Sequence, residues 1–303
     1  MLGFVGLMAP TAAVAQMPPD VAEKIAALGR VVELDNTAKL YEPLAEKEPY
    51  AFVKVTRDVK YGPHPRNVVD IFVPENGTAS RPVLMYVHGG GNLLTKSEPG
   101  RFFFDNVALF AARNGMVGVL VEYRPGREFP WPAGGEDIGA AGRYVSDHIA
   151  SFGGDPNRTY LMGDSTGAEH VAAYVAHPEF HGPRGSGLAG AIIASGIYDL
   201  TKGPLTDGQR AYYGPDSNLY GERSSLSGLL KTTMPFMIAV AELNPPRFNE
   251  QFLLLKDAMC KSERGCVRSV MLAKHSHTSE LLAINTADTS FTSQILEFIR
   301  TGK

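Results

Sequence analysis

Long apolar runs are missing from this chain. No segment approaches the roughly 18 consecutive apolar residues that cross a bilayer, so a membrane-spanning helix is not expected. An excess of one charge is missing too: 29 Lys and Arg stand against 32 Asp and Glu, a net charge of -3. With no Lys/Arg run either, nothing in the sequence attracts nucleic acid, and a small neutral substrate suits the balance better. Cysteine is scarce. Cys260 and Cys266 are the only two, and no histidine or second cysteine pair stands at ligand spacing, which argues against a metal site. There is no internal repeat and no low-complexity tract.

What remains is a chain of 303 residues, 44% of them hydrophobic, enough for one large core. Residues 16–303 read as a single domain, with 16–50 as an N-terminal cap segment and 201–231 as a possible lid insertion. The short apolar run 2–8 followed by Ala13-Val14-Ala15 and Gln16 has the form of a secretory signal and its cleavage site, although no Lys or Arg precedes the run. Residues 1–15 are therefore expected to be a signal peptide and the protein to be periplasmic or secreted; it is cytoplasmic if the run is not a signal. In an exported protein Cys260 and Cys266 would bridge, pinning one connection; two free thiols are the alternative.

Short, nearly continuous apolar runs at 83–87, 117–121, 159–162, 189–194, 236–240 and 267–272 predict parallel strands buried on both faces. Ahead of them, 52–59 and 68–73 flank Tyr61-Gly62-Pro63 and predict an antiparallel pair at the sheet edge. One-sided apolar stripes predict helices around Ala168–Val175, 248–259 and 291–299, and Trp131-Pro132-Ala133 marks another helix start, with Trp131 in the core or at a pocket edge. A further stripe, Val21, Ile25, Leu28 and Val32, predicts a cap helix over 18–32. Strands alternating with helices predict an α/β fold: a mostly parallel sheet of about eight strands with helices on both faces. The Gly-, Ser-, Pro- and Tyr-rich stretch 201–231 breaks this rhythm and reads as a lid or as a surface excursion packed by Tyr212, Tyr213 and Tyr220.

Gly163-Asp164-Ser165-Thr166-Gly167 stands between a predicted strand and a predicted helix, the context in which G-x-S-x-G presents a serine hydroxyl on a tight turn. Such a hydroxyl needs a base to take its proton as it attacks a carbonyl. His277, in the loop after the last strand, is the first candidate, and His275 reads as its packing neighbour. The attack makes an oxyanion. His88-Gly89-Gly90-Gly91 follows an upstream strand, and the backbone N–H groups of its glycines, chiefly Gly90 and Gly91, together with that of Thr166, would hold it. His170 reads as a packing residue, and Asp164 as an anchor for a neighbouring loop. The triplets Asn76-Gly77-Thr78 and Asn157-Arg158-Thr159 match glycosylation acceptors but are common by chance.

With these motifs in place the chain resembles the α/β-hydrolase family, and within it the carboxylesterases with an H-G-G-G oxyanion motif, among them hormone-sensitive-lipase-like and arylformamidase-like enzymes. Phe152-Gly153-Gly154-Asp155-Pro156 and Ser195-Gly196-Ile197-Tyr198-Asp199-Leu200 add to the likeness, which runs from about residue 53 to 299. The resemblance implies a Ser-His-acid triad with Ser165 and His277, an oxyanion hole at Gly90, Gly91 and Thr166, and no cofactor. It implies hydrolysis of short-chain or aryl esters through an acyl-enzyme, with an arylformamidase or feruloyl-type esterase as the alternative; the lack of a long apolar lid helix argues against an interfacial lipase.

The triad acid departs from the pattern. Relatives commonly read Glu-x-Asp-Pro where this chain has Glu242-Leu243-Asn244-Pro245. Glu242, two residues earlier, would project to the same side in an extended chain and is the first choice to orient His277; Asn244 alone is the second, and Asp199 is a more remote candidate. A protein that keeps the pocket as a silent small-molecule binder is the reading from another class.

Overall fold

The short apolar runs become the centre of the molecule. The computed structural model describes residues 17–77, 80–90 and 102–302. Helices α1 (Pro19–Leu28) and α2 (Asp35–Tyr41) precede β1 (Val53–Lys60) and β2 (Val68–Pro74). The alternation then runs β3 (Arg81–Val87), α3 (Phe102–Arg113), β4 (Val117–Val121), α4 (Ala133–His148), β5 (Gly154–Asp164), α5 (Ser165–Ala176) and β6 (Gly190–Ala194). Three short helices, α6 (Asp207–Tyr213), α7 (Tyr220–Arg223) and α8 (Leu226–Lys231), fill the irregular stretch. After them come β7 (Phe236–Ala241), α9 (Pro246–Lys261), β8 (Arg268–Leu272), α10 (Ser279–Leu282) and α11 (Thr292–Thr301).

The eight strands form one sheet in the order β1-β2-β4-β3-β5-β6-β7-β8. β1 with β2 and β2 with β4 are antiparallel, and every other neighbouring pair is parallel. Period-two alternation sorts the central strands onto two cores. Val83, Met85 and Val87 face the side that packs Val171 of α5 and Leu255 of α9; Leu84 and Tyr86 face the side that packs Val107 of α3 and Ile295 of α11. All five of these strand residues are fully buried, and burying each side chain contributes roughly 1.5–3 kcal/mol.

The predicted cap helix is shorter than its apolar stripe. Gly29, at φ +80°, ends α1 after Leu28, so Val32 lies outside the helix. Arg30 ties this segment down instead, its Nε donating to the Asn244 carbonyl at 2.9 Å and its Nη2 to Asn249 Oδ1 at 2.8 Å. Tyr212 and Tyr213 pack with Ile197, Leu200 and Leu205 into a small separate core under the 201–231 stretch. Trp131 sits edge-on to Phe180 and Tyr212, at the start of α4. Cys260 and Cys266 are joined by a disulfide across the connection from α9 to β8. The expected signal region, Gly91 and Thr78 lie outside the described residues.

Candidate active site

Ser165 stands at the junction of β5 and α5 with φ +52°, a left-handed conformation that lifts its side chain off the end of the sheet. The flanking glycines make the turn possible by their missing side chains. A Cβ on Gly167 would lie 2.1 Å from the Val87 carbonyl oxygen, and one on Gly163 2.5 Å from the Gly167 carbonyl oxygen.

From the far side of the sheet end, the loop after β8 brings His277 over the serine. His277 Nε2 is 2.9 Å from Ser165 Oγ, and its Nδ1 is 2.6 Å from Asn244 Oδ1. Phe248 packs against the imidazole with ring centroids 4.4 Å apart. Burial takes this histidine down to about 4, with no carboxylate against it to oppose the shift. The imidazole is therefore neutral at pH 7 and able to accept a proton.

Glu242, expected first as the orienting group, is not at the histidine. The chain turns at the end of β7, with the Asn244 N–H reaching back to the Ala241 carbonyl, so residues 242 and 244 do not share a side. The Glu242 carboxylate accepts the Lys274 N–H at 2.7 Å, while fully buried Asn244 faces His277. Asp199 is likewise turned away and accepts from Thr201. Behind Asn244, its Nδ2 donates to Ser195 Oγ at 2.7 Å.

The loop after β3 forms the other wall. Gly90 (φ +115°) and Thr166 line the same cavity as Ser165 and His277. Thr166 lies in the first turn of α5, where backbone N–H groups have no partner inside the helix. Gly89 differs from its neighbour: its N–H is taken by Asp164 Oδ1 at 3.0 Å, and the same oxygen accepts the Tyr86 hydroxyl at 2.6 Å. Asp164 thus anchors the glycine loop. Burial raises its pKa, and those two donors pull in the opposite direction. His88 is buried beneath the loop, its Nδ1 2.7 Å from the Gly89 carbonyl and its ring stacked on Tyr123.

The cavity holds about 430 Å³. Val32 and Leu34 from the N-terminal segment, Phe104, Phe248 and Leu281 supply apolar wall, and Thr206 and Gln209 reach it from the start of α6. Glu169, one turn after the serine, is a buried carboxyl in this wall. Gln209 Nε2 donates to it at 2.6 Å and the Tyr213 hydroxyl at 3.1 Å; burial nonetheless pushes it up to about 7.

The remaining histidines do not meet the serine. His275 bonds partly buried Ser290 and buried Ser279 and lies 3.1 Å from buried Asp288 Oδ2, a second Ser-His-Asp grouping. His170 is buried between Tyr123 and Tyr212. Among the described residues no group of three His, Cys, Asp or Glu could hold a metal ion, and no helix is long and apolar enough to cross a membrane. Of the buried residues beside the site, Glu169 and Glu280 had no place in the sequence reading, and Ser195 entered it only within a family-like stretch.

Known proteins resemble this chain in two ways. Residues 69–182 match the family model BD-FAE. Over 128 residues, 41% of this chain, it is 34% identical to the isoprenylcysteine α-carbonyl methylesterase of Arabidopsis thaliana. It is 38% identical over 109 residues, 36% of the chain, to carboxylesterase NlhH of Mycobacterium tuberculosis, and 36% identical over 116 residues, also 36% of the chain, to phenmedipham hydrolase of Pseudarthrobacter oxydans. These matches span 28%, 33% and 23% of the respective relatives. Among solved structures, a hyperthermophilic esterase from Pyrobaculum calidifontis superposes with a TM-score of 0.67 at 20% identity, covering 95% of this chain and 99% of that one. A truncated carbohydrate esterase from gut microbiota gives 0.70 at 15% identity, covering 84% of this chain and 98% of that one.

Proposed function

We propose that this chain, which has the α/β-hydrolase fold, is a serine carboxylesterase that hydrolyses short-chain or aryl esters through an acyl-enzyme on Ser165. The observation that carries the reading is the hydrogen-bonded line from Ser165 through His277 to Asn244, opening on the 430 Å³ cavity.

In the first half-reaction His277 Nε2 takes the Ser165 proton as Oγ bonds to the acyl carbon, and the carbonyl electron pair moves onto oxygen. The backbone N–H groups of Gly90 and Thr166 are the donors for that oxyanion, with Gly91 as the third expected from sequence; one such donor contributes on the order of 100- to 1000-fold. The electron pair then returns, the ester C–O bond breaks, and His277 gives its proton to the departing alkoxide. In the second half water gives its proton to His277 and attacks the acyl carbon, and Ser165 leaves with that proton restored. Asn244 fixes the ring by accepting a hydrogen bond from Nδ1–H through its Oδ1.

The cavity is of the size that takes a small molecule. Its apolar wall suits an acyl chain or an aromatic ring, and the Glu169, Thr206 and Gln209 side offers polar contacts. The names of the relatives, a methylesterase, a carboxylesterase and phenmedipham hydrolase, support acyl chemistry on small molecules. The same apparatus would serve an aryl formamide or a feruloyl ester, since the triad sets the reaction class and the pocket the substrate. The Cys260–Cys266 bridge supports placing the protein in an oxidising, exported compartment.

A silent binding protein is the second reading, favoured by the amide at Asn244. The time course of p-nitrophenolate release from p-nitrophenyl acetate separates the two. Release by the wild type that disappears in Ser165→Ala supports the esterase; equal, background-level release from both proteins, with the ester still bound, moves the binding protein to the front.

A further inference from the structure

An amide at the orienting position raises a problem that a carboxylate does not. Its two ends differ, and only one of them holds His277 in the tautomer that can act as base. If Oδ1 faces Nδ1, the ring carries its proton on Nδ1 and Nε2 is free for Ser165. If the amide is reversed, Nδ2 donates to Nδ1, the proton moves to Nε2, and the base is lost. The wrong tautomer is the cause of the roughly 10⁴-fold loss on exchanging acid for amide in the worked serine-protease triad. Something on the far side of Asn244 must therefore choose the direction.

Ser195 is the group there, accepting from Asn244 Nδ2 at 2.7 Å. A hydroxyl is itself ambiguous, because it can also donate to an amide oxygen. Beyond it stands Glu280, 1% exposed, on α10 three residues after His277. No donor meets full hydrogen-bond geometry at either Glu280 oxygen, and the Ser195 hydroxyl and the Ala241 N–H are the two donors directed at it. We propose that Glu280 is a positioning residue that draws the Ser195 proton towards itself, leaves Ser195 Oγ to accept from Asn244, and so sets the hydrogen-bond direction through to His277 and Ser165.

The inference rests on the esterase reading for its consequence but on the buried chain for its origin. With Glu280 ionised the donors run Ser165 to His277 to Asn244 to Ser195 to Glu280. With Glu280 protonated it can donate to Ser195, Ser195 to the amide oxygen, and the line reverses. Burial pushes this carboxyl up to about 8, with Asp164 adding in the same direction. The other titratable groups around it are the phenols of Tyr86 on β3 and Tyr198 after β6; Tyr41 of α2 approaches the neighbouring Ser279. Both Tyr86 and Tyr198 are held neutral well above pH 8. A step near pH 8 would therefore report Glu280 and neither phenol.

The test compares kcat from pH 6 to 9.5 in wild type, Glu280→Gln, Asn244→Asp and the double variant. The wild type is expected to rise by on the order of tenfold across pH 8, and Glu280→Gln to lack that rise while matching the wild type at pH 6. In Asn244→Asp, whose two oxygens are equivalent, Glu280→Gln is expected to cost nothing. A second readout needs no turnover: the ¹⁵N resonance of His277 Nδ1 should shift with a midpoint near pH 8 in the wild type and not in Glu280→Gln. Superimposable profiles, or a Glu280→Gln loss equal at all pH values and undiminished beside Asn244→Asp, would overturn the proposal. A His277 shift at pH 8 in a protein that releases no p-nitrophenolate would instead keep this inference and refute the esterase.

Discussion

Replacing Asn244 by Asp gives His277 a charge it now lacks. The buried amide oxygen lies 2.6 Å from Nδ1, and burial alone holds the ring at about 4. An opposite charge at such a distance raises a histidine pKa by about 1–3 units, so Asn244→Asp is expected to move it from about 4 to about 6. The same differential interaction acts on the imidazolium that forms in the transition state. Two units correspond to about 2.7 kcal/mol, or a plateau rate about 100-fold higher. At pH 5 the fraction of His277 available as base falls from about nine-tenths to about one-tenth, which trims the gain to about tenfold. These are upper figures, because the new carboxylate is itself buried, and Ser195 must turn its hydroxyl to donate. The assay is kcat/KM for p-nitrophenyl acetate from pH 4 to 9. The sign is distinctive: the wild type keeps its base down to about pH 5, and the variant's advantage is largest between about pH 6 and 8, shrinking on the acid side as its His277 protonates and above pH 8 as the wild type itself rises. Identical acid limbs and plateaus would refute the assignment of His277 as a base that senses residue 244.

Asp164→Ala removes the acceptor shared by the Gly89 N–H and the Tyr86 hydroxyl. The glycine loop then loses its anchor, and kcat is expected to fall on the order of 100-fold with KM changed much less; steady-state kinetics with an unchanged kcat would show that the loop holds without it. Removing the disulfide with Cys260→Ser and Cys266→Ser should lower the unfolding free energy by about 2 kcal/mol, the closure entropy of so short a loop. Urea unfolding measures this, and esterase activity in the same preparation should be unchanged, because neither cysteine borders the cavity; parallel loss of activity would contradict that separation.

The central strands were legible because buried parallel strands leave short apolar runs: 117–121 coincides with β4, and 83–87 is the apolar part of β3, which starts at Arg81. Two helices left weaker traces. α3 begins Phe-Phe-Phe and shows no polar stripe at its start, while α4 carries glycines that a propensity argument counts against it. Those glycines serve packing: a Cβ on Gly134 would lie 2.4 Å from His170 Nδ1, and one on Gly135 2.4 Å from Phe180. Ser165 and His277 were readable because a turn motif and chain order determine where they stand. The choice between Glu242 and Asn244 was not, since it hinged on whether the chain stays extended after β7 or turns. Glu169 and Glu280 matter through burial, which no local spacing reports.

The cavity is built from two kinds of sequence. Gly90, Asp164, Ser165, Thr166 and Glu169 fall within the 69–182 stretch that matches BD-FAE, whereas His277, Asn244 and the walls at 32–34, 206–209, 248 and 281–282 fall outside it. The family likeness therefore covers Ser165 and its turn and leaves out His277, Asn244 and most of the cavity wall. On the esterase reading, a new leaving group can be accommodated at Leu34 or Thr206 with the turn untouched, so kinship in this chain is a better guide to the proposed reactivity than to appetite.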